Sequence, residues 1–155
     1  MEIEFIVHGE PYGKGRPRFR PSGQPYTPAK TVKYEKLVQL EYNSQAGGKC
    51  FNDNVLLEMR VYAYYTIPKN TPQWKIPLML SGAIRPLKKP DWDNVGKTIA
   101  DSLNKIAYHD DAQIVDGMVR KFYSDNPRVE VKICEAEGYS PKLTKMELRS
   151  MRKEV

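Results

Sequence analysis

Residues 9–28 read GEPYGKGRPRFRPSGQPYTP, and nine of these twenty are glycine or proline. Proline lacks a backbone N–H and glycine loses the most conformational entropy on ordering, so this run is neither a helix nor a central strand. It predicts a long loop, of a length that compact domains seldom keep without a use for it. Before it, EIEFIVH (residues 2–8) alternates and is partly β-branched or aromatic, which predicts a first strand. After it, Thr27-Pro28 has the form of an N-cap followed by a first-turn proline, opening a helix over about 28–44. Val32, Tyr34, Leu37 and Leu40 form its apolar side, and Gly47-Gly48 stops it.

The rest of the chain supplies the sheet. NVLLEMRVYAYYTI, about 54–67, predicts a strand by content and by period two in its second half. Thr71-Pro72 opens a short helix toward Leu80, shortened or bent by Pro77. Asp93 is a good N-cap for a helix over 94–107, because Val95, Ile99, Leu103 and Ile106 share one face. QIVDGMVRKFYS and RVEVKICEAE, with Asp125-Asn126-Pro127 between them, predict a C-terminal hairpin. The expected architecture is α/β, of the α+β kind, with a single mixed sheet and packed helices. Residues 1–137 form the domain, and 138–155 a basic C-terminal tail, expected to be helical.

Charge narrows the function. The chain of 155 residues carries a formal charge of +6, and from Pro11 to Tyr34 it has no acidic residue. Lys14, Arg16, Arg18, Arg20, Lys30 and Lys33 fall inside that stretch, and together they equal the net charge. A second basic zone, SPKLTKMELRSMRKEV, has five Lys/Arg against two Glu. Localised positive charge of this kind suits a polyanion, and nucleic acid is the expected partner. No apolar run nears the ~18 residues of a membrane span, and the N-terminus lacks the basic start of a signal peptide, so the expected location is the cytoplasm. Cys50 and Cys134 are too few for a disulfide framework, lack zinc-site spacing, and are expected to be buried thiols.

Against this basic background KKPDWDNVGKTIADSLNKIAYHDD, residues 88–111, concentrates Asp91, Asp93, Asp101, Asp110 and Asp111. At about 100° per residue, Lys97, Asp101 and Asn104 cluster on the side that also carries Asp93. A solvated helix face with i,i+4 pairs accounts for that pattern too, at about 0.3–0.5 kcal/mol per pair. Carboxylates at both ends of the helix are harder to explain this way. Two of them about 4 Å apart repel by roughly 4 kcal/mol at an effective dielectric near 20. A divalent cation removes that cost, and oxygen-only donors favour Mg²⁺ or Mn²⁺ over Zn²⁺. An EF-hand starting at Asp91 fails, with Val95 in its fifth position and Ser102 in its twelfth. A D-x-D phosphatase nucleophile fails on context, because RPLKKP and not a buried strand precedes it.

The arrangement D-x-D-N-x-x-K-x-x-x-D, running from Asp91 through Asp93, Asn94 and Lys97 to Asp101 and followed by H-D-D-x-Q-I around Asp111, resembles the RusA family of Holliday-junction resolvases. Gly9 to Arg18, G-x-P-x-x-K-x-R-P-R, and Tyr26-Thr27-Pro28 are similar to the phage and prophage members. The resemblance spans most of residues 1–133, is strongest over 90–114, and leaves out the segment from about Gly138. It implies a homodimeric crossover junction endodeoxyribonuclease of DNA recombination and repair, which binds four-way or branched DNA and makes paired nicks with Mg²⁺ or Mn²⁺. Its catalytic residues fall on Asp91, Asp93, Lys97 and Asp111, with Asp91, Asp93 and Asp111 as the metal ligands. Asp101 is expected to orient Lys97 or to be a ligand itself, and Asp110 is the alternative to Asp111. Lys14, Arg16, Arg18, Arg20, Lys88 and Lys89 are the expected DNA contacts, with Tyr12, Phe19 and Tyr26 available for stacking or for ordinary loop packing. A broader branched-DNA nuclease and a non-catalytic junction-binding protein are the alternatives.

Overall fold

The computed structural model describes residues 1–138 and 149–152. Within residues 1–138, six strands and three α-helices follow in order: β1 Glu2–His8, β2 Arg18–Phe19, β3 Pro25–Tyr26, α1 Ala29–Ala46, β4 Leu57–Thr66, α2 Ile76–Leu80, α3 Trp92–Leu103, β5 Ile114–Ser124 and β6 Arg128–Glu135. Four of the strands form one mixed sheet in the order β1-β6-β4-β5, and β2 and β3 pair separately as a small hairpin. This is the α+β architecture expected. Residues 149–152 are helical, and the rest of the expected tail helix lies outside the described residues.

Alternation builds the core. Ile3, Phe5 and Val7 of β1, Val129, Val131 and Ile133 of β6, and Leu57, Met59, Val61, Ala63 and Tyr65 of β4 all turn to one face of the sheet and are buried. α1 and α3 cover that face with Val38, Tyr42, Ala46, Val95, Ile99 and Leu103. Each fully buried side chain of this size contributes about 1.5–3 kcal/mol. Gln45 of α1 also closes the open edge of β1, accepting from Ile6 N at 2.9 Å and donating to Ile6 O at 2.8 Å. An exposed strand edge is otherwise a template for unwanted pairing.

The C-terminal hairpin does not form. β5 and β6 flank β4, β5 running parallel to it and β6 antiparallel. Residues 125–127 step over the end of β4 instead of turning back on β5. Two strand spacings are about 10 Å, which a link of three residues reaches, so link length does not separate the two topologies. β4 alternates cleanly between faces and takes a partner on each side. The parallel β4–β5 pair requires a crossover, and α3 supplies it.

Helix ends and faces also differ from expectation. α1 starts one residue later, with Pro28 and not Thr27 in the N-cap position and no side-chain cap. Its buried stripe is Thr31, Val38, Tyr42 and Ala46, while Leu40 is 64% exposed. A threonine fits the inner face because its hydroxyl is used: Thr31 Oγ1 bonds Tyr12 Oη at 3.1 Å and accepts from Gly15 N at 3.2 Å. The segment expected as one helix from Thr71 is a 3-10 turn, Gln73–Lys75, leading into α2 with Pro77 in its first turn. Asp91, not Asp93, occupies the N-cap position of α3, without a side-chain cap bond, and the helix ends at Leu103, not at 107. Lys105, at φ 65°, turns the chain so that Ala107 and Tyr108 still reach the core. Cys50 is exposed and Cys134 only half-buried, so neither is the buried thiol expected; both are free.

Candidate active site

α3 presents three faces. Val95, Thr98, Ile99, Ser102 and Leu103 turn inward. Trp92, Asp93, Gly96, Lys97 and Ala100 line a groove of about 290 Å³ whose opposite wall is Met59 and Val61 of β4, Ile114, Gly117, Met118 and Val119 of β5, and Asp111. The helix lies this close to β5 because position 96 has no side chain: a Cβ there would sit 2.8 Å from Val119 Cγ2. Asp93, Lys97 and Asp111, from two places in the sequence, thus share one groove.

The two adjacent carboxylates after α3 have different surroundings. Asp110 caps the 3-10 turn Asp111–Gln113, accepting from Ala112 N at 2.9 Å while Gln113 Oε1 accepts from Asp110 N. The bond from Ala112 N, and after it the Asp111 side chain, hold its carboxyl below the usual range. Asp111 is fixed through its N–H, which donates to Asn104 Oδ1 at 2.7 Å, and its carboxyl enters the groove. Burial pushes that carboxyl above its ordinary value, and the neighbouring Asp110 and Asp101 carboxylates push it further.

The third face of α3 carries the N-terminal loop. Lys14 N donates to Thr98 Oγ1 at 2.8 Å, and Asn94 Nδ2 donates to Lys14 O at 3.3 Å. Its ammonium lies 2.9 Å from Asp101 and 3.4 Å from Glu35. Gly13 permits this approach, since a Cβ there would lie 2.6 Å from both Asn94 Nδ2 and Pro90 Cβ. Lys14, expected to face DNA, is therefore committed inward, and the cation on Asp101 is Lys14 and not Lys97. No ion pair holds Lys97 among the described residues, and it remains exposed in the groove.

Asp91 is not among the residues that line this groove. It lines a neighbouring cleft of about 480 Å³ with Tyr12, Gly13, Arg16, Lys89 and Asn94. Arg16, Arg18, Arg20, Lys88 and Lys89 are all exposed. One cation near Asp91, Lys121, is easily missed from sequence. Lys121 Nζ donates to Lys88 O at 2.6 Å and sits 5.1 Å from the centre of the Tyr65 ring, while Lys88 Nζ is 5.7 Å from the same ring. Burial lowers the Lys121 ammonium's pKa, and Asp91 partly opposes the shift. Its signal was strand parity, which sets Lys121 two and four residues beyond Val119 and Gly117 on the groove-facing row of β5.

Among the described residues no three His, Cys, Asp or Glu side chains converge into a ready-made metal cage. Mg²⁺, however, typically keeps several waters and takes one or two carboxylates plus substrate phosphate oxygens. Asp93 and Asp111 offer such a pair, and the burial and negative neighbours that discourage ionisation of Asp111 are relieved by a cation. The donor set fits the ion.

A carboxylate groove flanked by exposed arginines and lysines is the arrangement of proteins that act on polyanions. Residues 8–134 match the family model described as Endodeoxyribonuclease RusA, so the chain belongs to the RusA family. It is 37% identical over 139 residues to the uncharacterized protein YqaN of Bacillus subtilis (strain 168), covering 88% of this chain and 98% of that one. It is 31% identical over 141 residues to the crossover junction endodeoxyribonuclease rusA of Lactococcus phage r1t, covering 87% and 98%. Among the described residues no helix is long and apolar enough to cross a membrane.

Proposed function

We propose that this endodeoxyribonuclease resolves Holliday junctions by Mg²⁺-dependent phosphodiester hydrolysis, a homodimer making one nick from each subunit. The observation that carries the reading is the common groove of Asp93, Lys97 and Asp111, set beside an acid-free basic loop in a RusA-family chain. Asp93 and Asp111 would hold the ion; Asp91 joins them on the strength of the motif alone. When bound, Mg²⁺ lowers the pKa of a water and screens the phosphate's charge. Lys97, an exposed ammonium with no internal partner among the described residues, neutralises negative charge developing on the phosphoryl oxygens. Asn104, through the N–H of Asp111, keeps that carboxylate turned into the groove.

Arg16, Arg18, Arg20, Lys88 and Lys89 contact phosphates. Paired nicks need two sites, which a two-fold dimer supplies. Residues 1–137 carry the activity in the cytoplasm, and the basic tail adds electrostatic affinity. The test is cleavage of a synthetic four-way junction by the purified protein in Mg²⁺, Mn²⁺ or chelator, mapped at nucleotide resolution. Cleavage is expected only with the ions, in symmetric pairs, and is lost in Asp93→Asn and Asp111→Asn with junction binding retained. Undiminished cleavage by either variant sinks the assignment; equal cutting of flaps and junctions points to a broader branched-DNA nuclease.

A further inference from the structure

The loop between β1 and α1 is an arm pinned at both ends. Gly15 N is bonded to Thr31 Oγ1 where the arm leaves the domain, and Pro28 beside it begins α1 where the arm returns. A Cβ on Gly15 would lie 3.3 Å from Pro28 Cγ, so the two ends touch. Between them β2 and β3 pair Arg18 with Tyr26 and Phe19 with Pro25. The turn is closed by Arg20 N to Gln24 O at 2.9 Å and Gly23 N to Arg20 O at 2.8 Å, with Gly23 at φ +81° as the tightness of the turn requires. The arm is ordered by its own backbone.

Its three aromatic residues have different surroundings. Tyr12 is packed inward, bonded to Thr31 and 5.1 Å from the Tyr34 ring. Tyr26 lies under the Arg20 guanidinium at 5.9 Å, on the face that strand alternation gives to Arg18 and Arg20. That face opens on a hollow of about 620 Å³ lined by Arg16, Arg18, Tyr26 and Lys30. Phe19 projects from the other face and is 71% exposed. Ordinary loop packing does not account for it, and a bare ring on one face of an arm whose other face carries arginines, in 24 residues without an acid, suits a polyanion that also offers an apolar face. The surface matches a nucleic acid whose phosphates and an unstacked base are reachable from one point. Aromatic rings stack on any exposed base face, and arginines alongside hold the backbone.

The geometry points to Phe19 as a stacking wedge that meets an unstacked base at the branch point while the arginine face of the same arm holds the adjoining phosphates. This rests on the junction reading above and gives it a residue that selects branched over continuous DNA. The test uses the full chain without divalent cations, on a four-way junction with 2-aminopurine beside the branch and on the matching linear duplex. Wild-type binding is expected to raise the fluorescence of the unstacked analogue. Phe19→Ala should lose that rise and lose roughly 5- to 150-fold in junction affinity, the range for one base-on-aromatic stack. Its duplex affinity should stay within about twofold and its salt dependence should not change, because its phosphate contacts are intact. Phe19→Trp should restore the junction affinity. Unchanged junction affinity in Phe19→Ala, or equal losses on junction and duplex, overturns the wedge and leaves the nuclease reading standing. A wild type that shows no preference for the junction overturns both.

Discussion

Replacing Lys14 by methionine isolates what its ammonium does. The backbone bonds to Thr98 and Asn94 do not depend on the side chain, and methionine keeps most of the apolar stem. What is lost is the 2.9 Å bond to Asp101 and the 3.4 Å contact with Glu35. Lys14 is 31% exposed and Asp101 19%. The pair therefore stands between a surface ion pair, at about 0.2–1 kcal/mol, and a buried one, where removing a partner costs about 3–5 kcal/mol. We expect a loss of about 2 kcal/mol, or roughly 4–8 °C in Tm for a domain of this size. Urea melts at pH 7 should show a lower midpoint at unchanged slope. In the double variant with Asp101→Asn, the unpaired carboxylate is gone and about 1 kcal/mol should return.

The hydrogen bond that Lys14 donates to Asp101 raises the Lys14 pKa in the folded state. The stabilisation is therefore complete below the unfolded value near 10.4 and fades as pH rises through the higher folded value. Between pH 6 and 9 the gap between wild type and variant should be flat. DNA binding supplies the decisive comparison, since a phosphate-contacting lysine contributes about 0.9 to the slope of log K against log salt. Lys14→Met should leave that slope unchanged. A slope that falls by about 0.9, with stability within ~0.5 kcal/mol of wild type, refutes the inward assignment.

Other perturbations separate the remaining parts. Arg16→Gln, Arg18→Gln and Arg20→Gln should each reduce the salt slope by about 0.9, so a triple variant that keeps the full slope contradicts the phosphate role. Asp111→Asn should melt above wild type at pH 7 without divalent cations, because burial and its acidic neighbours raise the Asp111 pKa and make its charge costly. That gap opens as pH rises above the unfolded value near 3.9, is full above the folded value, and closes in acid. A variant less stable than wild type at pH 7 contradicts it. Gly96→Ala drives a methyl to 2.8 Å from Val119 Cγ2. The clash costs about 1–3 kcal/mol, partly offset by alanine's better helix propensity, and wedging α3 from β5 should cut cleavage at least tenfold while DNA binding persists.

The legible parts of this molecule are those set by local periodicity. β1, β4 and β6 repeat with period two and bury the residues that pattern selects. Strand order was not legible, because β5 and β6 are separated by a link that serves a hairpin or a step across β4 equally well. Capping was ambiguous for a related reason. Asp91 and Asp93 are both good caps, but once Asp91 opens the helix, two residues of turn rotate Asp93 by about 200° away from it. The two carboxylates of the D-x-D pair line different clefts, although the family resemblance implies that they serve one metal site. Lys14 was misread because a positive charge in a basic run gives no sign of carboxylates 21 and 87 residues further along the chain. Asp111 and Lys97 were legible through the motif, and the closeness of the two walls of the groove they share depends on Gly96, where a Cβ would meet Val119.

The pairing of β1 with β6, which sets Glu2 opposite Cys134, has a consequence for biosynthesis. β6 is also the strand that joins β1 to β4, so the sheet that seats α3 stays in two pieces until residues near 135 leave the ribosome. At elongation rates of about 5–20 residues per second, this interval is roughly 7–27 s. During it the nascent polypeptide carries its basic arm and most of its carboxylates without the assembled groove. Competence to cut DNA thus arrives with the last strand of the sheet, and fragments truncated before β6 should be inert.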